Sequence, residues 1–325
     1  MTRHYNIPVF VPHIGCPHDC VFCNQRVITG AKTDPDQILK DAKNSIEMHL
    51  STIPKAQAAV QIAFFGGSFT GIDSDLQRAL LCLSDEYIQS GRASSVRIST
   101  RPDYIDENIL NTLKDHHVTD IELGVQSSDD GVLRANRRGH TFARVTLACK
   151  LIRSQNINLG LQMMTGMYTS TPALDKQTAA DIAMLAPDYV RIYPTVVLNG
   201  TYLASLYQNY NYIPPTLEDS VALCSEIYRM FHAANIPIIR MGLQATDTIC
   251  EQGDLIAGSY HSAFGELVLS RIYRNKLESA AQNATEDRFA YYVPARELSR
   301  AIGNKRCNVT YIAEKYHKTV QIKPL

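Results

Sequence analysis

The chain has 325 residues, 45% of them hydrophobic and 20% charged, the balance of a globular protein with room for a large core. Lys plus Arg and Asp plus Glu each number 32, which excludes a globally basic nucleic-acid binder but not a local basic patch. No apolar run approaches the ~18 residues of a membrane span, and Met1-Thr2-Arg3-His4-Tyr5 lacks the apolar core of a signal peptide, so a cytoplasmic protein with reduced thiols and no membrane partner is expected.

Short apolar runs alternate with helical patterns along most of the chain. The strand candidates are Ile7–Val11, Val60–Phe65, Val96–Ser99, Asp120–Val125, Asn158–Met164, Tyr189–Pro194 and Pro237–Met241. Several are near-continuous Val, Ile, Leu and Phe, as suits parallel strands covered on both faces. Helices open at Asp34-Pro35, at Asp73-Ser74 with Gly91 as its stop, at Thr171-Pro172, and at Thr216, where Asp219 completes a capping box. This rhythm predicts an α/β fold, either a (β/α) barrel or a doubly wound parallel sheet. After Met241 the rhythm breaks. Residues 245–325 read as a small α+β C-terminal appendage, helical around Ala263–Leu277, with β-leaning pieces at Ala290–Val293, Val309–Ile312 and Val320–Ile322.

Of eight cysteines, Cys82, Cys149 and Cys224 lie on apolar helical stripes and read as small core residues; Cys250 and Cys307 stand alone. The other three fall in Cys16-Pro17-His18-Asp19-Cys20-Val21-Phe22-Cys23, just after the first strand. Three close thiols make a metal site with one vertex missing, and a missing vertex is where chemistry takes place. Soft thiolates suit iron–sulfur; a zinc site is the rival, with His13 or His18 as its fourth ligand. Glycines and polar residues gather at the carboxyl ends of the other strands, the edge at which parallel α/β folds bind ligands. They form Phe64-Phe65-Gly66-Gly67-Ser68, Ser99-Thr100-Arg101-Pro102-Asp103, Glu122-Leu123-Gly124-Val125-Gln126-Ser127, Gln162-Met163-Met164-Thr165-Gly166 and Arg191-Ile192-Tyr193-Pro194-Thr195.

With these segments the chain resembles the radical S-adenosylmethionine enzymes, whose signature is the spacing of Cys16, Cys20 and Cys23 with aromatic Phe22 before the last cysteine. The resemblance implies that the three thiolates hold three irons of a [4Fe-4S] cluster, and that the fourth iron chelates S-adenosylmethionine. Gly66-Gly67-Ser68 looks like the glycine-rich segment whose backbone lies beside the methionine amino group. Glu122 to Ser127, followed by Arg137-Arg138-Gly139-His140-Thr141, looks like the radical domain of the Elongator catalytic subunit; oxygen-independent coproporphyrinogen oxidases carry a similar segment. By that resemblance Gln126 bonds the cofactor ribose, Arg138, twelve residues on, meets its carboxylate through a planar fork, and Gln162 takes the other ribose-facing position. The likeness spans roughly residues 6 to 245 and implies a partial (β/α)6-type parallel barrel over residues 1–244, followed by the small α+β appendage.

There are departures. The family's Glu before Thr-Arg-Pro-Asp is Ser99 here, which removes one expected contact to the cofactor. Its Gly-Leu-Pro-Gly reads Gly166-Met167-Tyr168-Thr169, which puts the adenine-side loop in doubt. Residues 245–325 show no Gly-rich acetyl-CoA loop, so the acetyltransferase route of the Elongator subunit is not expected. Plainer roles stand beside the functional ones. Arg101 and Arg240 serve equally well as ion-pair partners, Glu122 as the partner of an arginine, Tyr193 as rim packing and His140 as a structural histidine. Arg134, Arg137 and Arg138 form a basic knot of the kind that solvates a helix end. The cluster Tyr260 to Glu266 has no assigned role.

The resemblance implies an oxygen-sensitive enzyme that cleaves S-adenosylmethionine with one electron, from reduced ferredoxin or flavodoxin, to a 5′-deoxyadenosyl radical. That radical takes a hydrogen atom from a substrate, with an RNA nucleoside, in tRNA, as the leading class. The alternative is a haem- or cofactor-trafficking protein that keeps the cluster motif without radical turnover.

Overall fold

The computed structural model describes residues 3–11, 20–23, 34–54, 58–243 and 253–325. Cys16, His13, His18, Cys250 and the expected junction at 244/245 lie outside the described residues. Seven strands form one sheet: β1 (Arg3–Val11), β2 (Ala58–Gly66), β3 (Ser95–Thr100), β4 (Val118–Gln126), β5 (Asn158–Thr165), β6 (Tyr189–Pro194) and β8 (Ile238–Met241). They are ordered β1-β2-β3-β4-β5-β6-β8 with every pairing parallel, so β1 and β8 end an open, curled half-barrel rather than closing a ring.

The connecting helices are α1 (Pro35–Thr52), α2 (Ser74–Gln89), α3 (Glu107–Asp115), α4 (Asp130–Ala135), α5 (Phe142–Ser154), α6 (Pro172–Met184) and α8 (Leu217–Ala233). They begin where side-chain oxygens accept orphan N–H groups: Asp34 from Asp36, Asp73 from Asp75 and Leu76, Thr171 from Leu174, Thr216 from Asp219. The sequence signals for these four starts are thus the caps themselves.

The expectation that both strand faces are apolar is corrected. Ile62, Ile98, Ile121, Leu123, Leu161 and Ile192 are buried in one core with the helices. Their alternating neighbours carry Gln61, Arg97, Glu122, Gln162 and Arg191, so the inner face is polar. In a half-barrel only the outer face has helices to pack against.

Cys149 and Cys224 are core residues as read, but Cys82 is exposed on α2, beside the 2.6 Å contact of His116 with Asp85 that ties α2 to the end of α3. Its helix is amphipathic, and the cysteine falls at the edge of the apolar stripe.

Two further pieces frame the carboxyl edge of the sheet. β7 (Val196–Leu198) pairs antiparallel with β9 (Leu255–Gly258), and α7 (Tyr202–Gln208) follows β7. The remainder is α9 (Phe264–Asn283), β10 (Arg288–Val293), α10 (Leu298–Ile302), α11 (Cys307–Tyr316) and β11 (Thr319–Pro324), with β10 and β11 paired in parallel. Phe264 and Val268 of α9 join the main core. The β-leaning reading of Val309–Ile312 is corrected, because those residues lie in α11. Ile312 packs there with Leu277, Ala281 and Val320, and that burial overrides the β propensity of Val-Thr-Tyr-Ile.

Candidate active site

β1 and β2 run in register to Val11 opposite Gly66, so the cysteine loop leaves the sheet beside the glycine segment. Gly66 has φ +128°, and a Cβ there would sit 2.1 Å from the Val11 carbonyl oxygen; no other residue fits. Ser68 is buried, with its hydroxyl 2.8 Å from Thr100 Oγ1 and 3.3 Å from the Arg101 N–H. Its side chain is therefore spent on holding β2 to β3, and only the main chain of 66–68 remains to meet a ligand.

At the end of β4 the pairing with β5 shifts between Gly124 and Gln126, and Gln126 has φ +70°. A bulge of this kind re-aims a side chain at a strand end. It brings Gln126 Oε1 within 3.3 Å of Gln162 Nε2 on β5, which donates to it. Gly124 leaves a space that Gln126 and Arg138 both border. A Cβ at 124 would lie 2.9 Å from Gln126 Nε2 and 3.3 Å from Arg138 Nη2.

Arg138 is buried. Its Nη1 donates to Cys20 Sγ at 3.3 Å and its Nη2 to the Gly124 carbonyl at 2.9 Å, while Nε is buried with no partner among the described residues. The Arg138 carbonyl in turn accepts from Arg101, whose guanidinium also holds Asp103 at 2.9 Å. Arg101 is thus an ion-pair partner that also positions Arg138. His140 is buried behind this pair, with Nδ1 4.0 Å from Asp103. Burial first, then the nearby Arg138 and Arg101 cations, pulls its pKa down to about 4.

The cysteine loop is pinned from the far side by residues that sequence reasoning missed. The Cys23 N–H bonds the Cys20 carbonyl at 3.0 Å, the Val21 N–H the Asn136 carbonyl at 3.3 Å, and the Leu203 N–H of α7 the Val21 carbonyl at 2.7 Å. Val21 packs with Val197, Leu203, Leu206 and Tyr212, and Phe22 and Tyr168 lie against them. Asn136, fully buried, donates to the Val132 and Tyr168 carbonyls at 2.8 Å each. The one signal in the sequence was its place between β4 and Arg138.

Deeper in the half-barrel, Glu122 lies 3.0 Å from Arg97 and 2.9 Å from Arg191, and Tyr193 accepts from Arg191 at 3.3 Å. Glu122 is the partner of two arginines and not a free base. The loop after β5 is closed by Asp175, which accepts from the Gly166 N–H at 2.8 Å and from Ser170 at 2.5 Å. Burial raises its pKa to about 6.

Two family models match the chain: the radical SAM superfamily over residues 10–182 and the radical SAM C-terminal domain over residues 187–274. The first alone covers more than half of it. The chain belongs to the radical S-adenosylmethionine superfamily. It is 31% identical over 137 residues to the tRNA uridine(34) acetyltransferase of Methanocaldococcus infernus, covering 41% of this chain and 26% of that protein. It is 24% identical over 240 residues to the protein of the same name from Dehalococcoides mccartyi, covering 64% of this chain and 52% of that one. The chain therefore spans between a quarter and about half the length of these relatives. The solved structure of the archaeal Elp3 of Methanocaldococcus infernus matches with TM-score 0.64 at 21% identity, covering 84% of this chain and 63% of that one; it shares the fold. Membership of the superfamily implies a reductant, an iron–sulfur cluster and S-adenosylmethionine. The residues present fit those groups. Cys20 and Cys23 supply soft donors in one turn, Gly66 and Gly124 leave bare backbone, and Arg138 Nε is a buried donor with no acceptor among the described residues. Among the described residues no helix is long and apolar enough to cross a membrane.

Proposed function

We propose that this enzyme takes a hydrogen atom from a nucleoside of RNA, with tRNA as its substrate class. In this reading Cys16, Cys20 and Cys23 hold a [4Fe-4S] cluster, and Gly66, Gly67, Ser68, Gln126, Arg138 and Gln162 hold S-adenosylmethionine. Reduced ferredoxin or flavodoxin is the electron donor. The bound groups supply one-electron cleavage to a 5′-deoxyadenosyl radical. The chain's own part is placement: the backbone of 66–68 faces an amino group, the Arg138 fork a carboxylate, and the two paired glutamines a ribose.

The observation that carries the reading is Arg138 bonded to both Cys20 and the Gly124 carbonyl at the carboxyl edge of the sheet, with the Gln126–Gln162 pair flanking the same glycine. Support for RNA comes from the relatives, two of which are named for tRNA uridine. The test is anaerobic reconstitution with dithionite and S-adenosylmethionine, scored by 5′-deoxyadenosine, with and without unmodified tRNA. Stimulation by tRNA, and none in the Cys16/Cys20/Cys23 triple Ala variant, is expected. Tight haem binding with no 5′-deoxyadenosine would favour the carrier reading instead.

A further inference from the structure

The zero net charge of the chain hides an asymmetry. Residues 275–325 hold nine Lys and Arg against five Asp and Glu, an excess of +4, so the remaining residues carry −4. This stretch also lies beyond the family models, the second of which ends at residue 274. It contains the β10–β11 pair, whose alternation puts Phe289, Tyr291, Val320 and Ile322 against α9, α10 and α11. The other face points to solvent. Arg288, Ala290 and Tyr292 on β10 are all exposed, and their register partners Thr319, Gln321 and Lys323 are exposed too. Tyr292 keeps 55% of its surface in solvent, directly beside Lys323.

The local ion pairs use other cations: Arg296 with Glu297, Arg300 with Glu266 and Lys315 with Glu278.

We infer that the solvent face of β10–β11, with Arg288, Tyr292 and Lys323, is a docking surface for single-stranded RNA. The cations meet phosphates, and Tyr292 offers a ring for a base to stack on. A hydrophobic partner is disfavoured, because the face carries Arg, Thr, Gln and Lys around one aromatic. The choice of RNA rests on the reading above, but the surface does not depend on radical chemistry.

The test uses the full-length reconstituted protein and fluorescence anisotropy with a labelled uridine-rich 15-nucleotide RNA and an unmodified tRNA transcript. For R288E/K323E, RNA affinity is expected to fall at least tenfold. The salt slope should shrink by roughly 1.4, the change for two single-strand phosphate contacts. Tyr292→Ala is expected to weaken binding three- to tenfold at unchanged slope. Cluster absorbance and 5′-deoxyadenosine formation without RNA should stay at wild-type level in all variants, which separates lost docking from lost folding. Unchanged affinity in both variants would overturn the inference even if tRNA still stimulates turnover. Equal loss of polyglutamate binding, with Tyr292→Ala silent, would overturn it in favour of a surface for acidic polymers. RNA binding through this face with no tRNA-dependent turnover would leave the inference standing and sink the nucleoside reading.

Discussion

Arg138 links three separate pieces of chain: its side chain holds the cysteine turn through Cys20 and β4 through the Gly124 carbonyl, and its main-chain carbonyl accepts from Arg101, just past the end of β3. Arg138→Lys keeps the charge but cannot make the fork. It is expected to leave the iron content intact and weaken S-adenosylmethionine binding at least tenfold, about 1.4 kcal/mol; equilibrium dialysis on the reconstituted protein checks this. His140 makes a pH prediction. Its pKa falls from 6.5 to about 4 on folding, so the unfolded chain binds the proton more readily between those values. Stability is full above pH 6.5 and falls as pH drops toward 4, by on the order of 3 kcal/mol. Asp175, raised to about 6, works in the opposite direction over much of that window. The His140→Gln variant should therefore lose the acid-side decline in urea midpoints, leaving the shallower opposite slope. Gln126 and Arg138 could be proposed from the sequence because their spacing resembles a motif. Asn136 was not, because its role lies in hydrogen bonds to carbonyls distant in sequence.

At the scale of elements, β7 and α7 form a clamp on the cysteine turn, made by Leu203 through both its N–H and its side chain. Leu203→Ala should cost 2–4 kcal/mol by leaving a cavity over Val21. It should also lower iron retained per chain after desalting, while melting of the main sheet changes little. The element starts could be read because caps are local: Asp34, Asp73, Thr171 and Thr216 each satisfy N–H groups two or three residues away. Val309–Ile312 was misread for the converse reason. Its helix is fixed by packing on Leu277 and Ala281 of α9, which no local window of sequence around it contains.

For the whole molecule, the inner polar face is held by the charge group Arg97–Glu122–Arg191, reaching from β3 to β6. Gly160 makes this crossing feasible. A Cβ there would lie 2.3 Å from the Tyr189 ring, which fills that space and carries Arg97 over its face at 4.8 Å. Glu122→Gln would take the carboxylate from the part-buried Arg191, while Arg97 keeps Asp120 at 3.4 Å, and is expected to cost about 3 kcal/mol in denaturant titrations. Per folded, cluster-loaded molecule, 5′-deoxyadenosine yield should be unchanged; a collapse of that yield would make Glu122 a participant in turnover. The parallel order of the sheet was legible from alternation alone. The polar lining was not, because openness of the barrel is a property of the assembled sheet.

That charge group also bears on how the sheet finds its correct assembly. A parallel sheet is built from distant pairings that form slowly, and each strand has neighbouring registers of similar apolar content. A slip of one residue would turn Arg97 or Glu122 into the apolar layer, and a slip of two would leave opposite charges a full pleat apart. Either error strands a buried ion without its partner. The lining therefore acts as a proofreader of strand alignment, penalising wrong arrangements more than it rewards the right one.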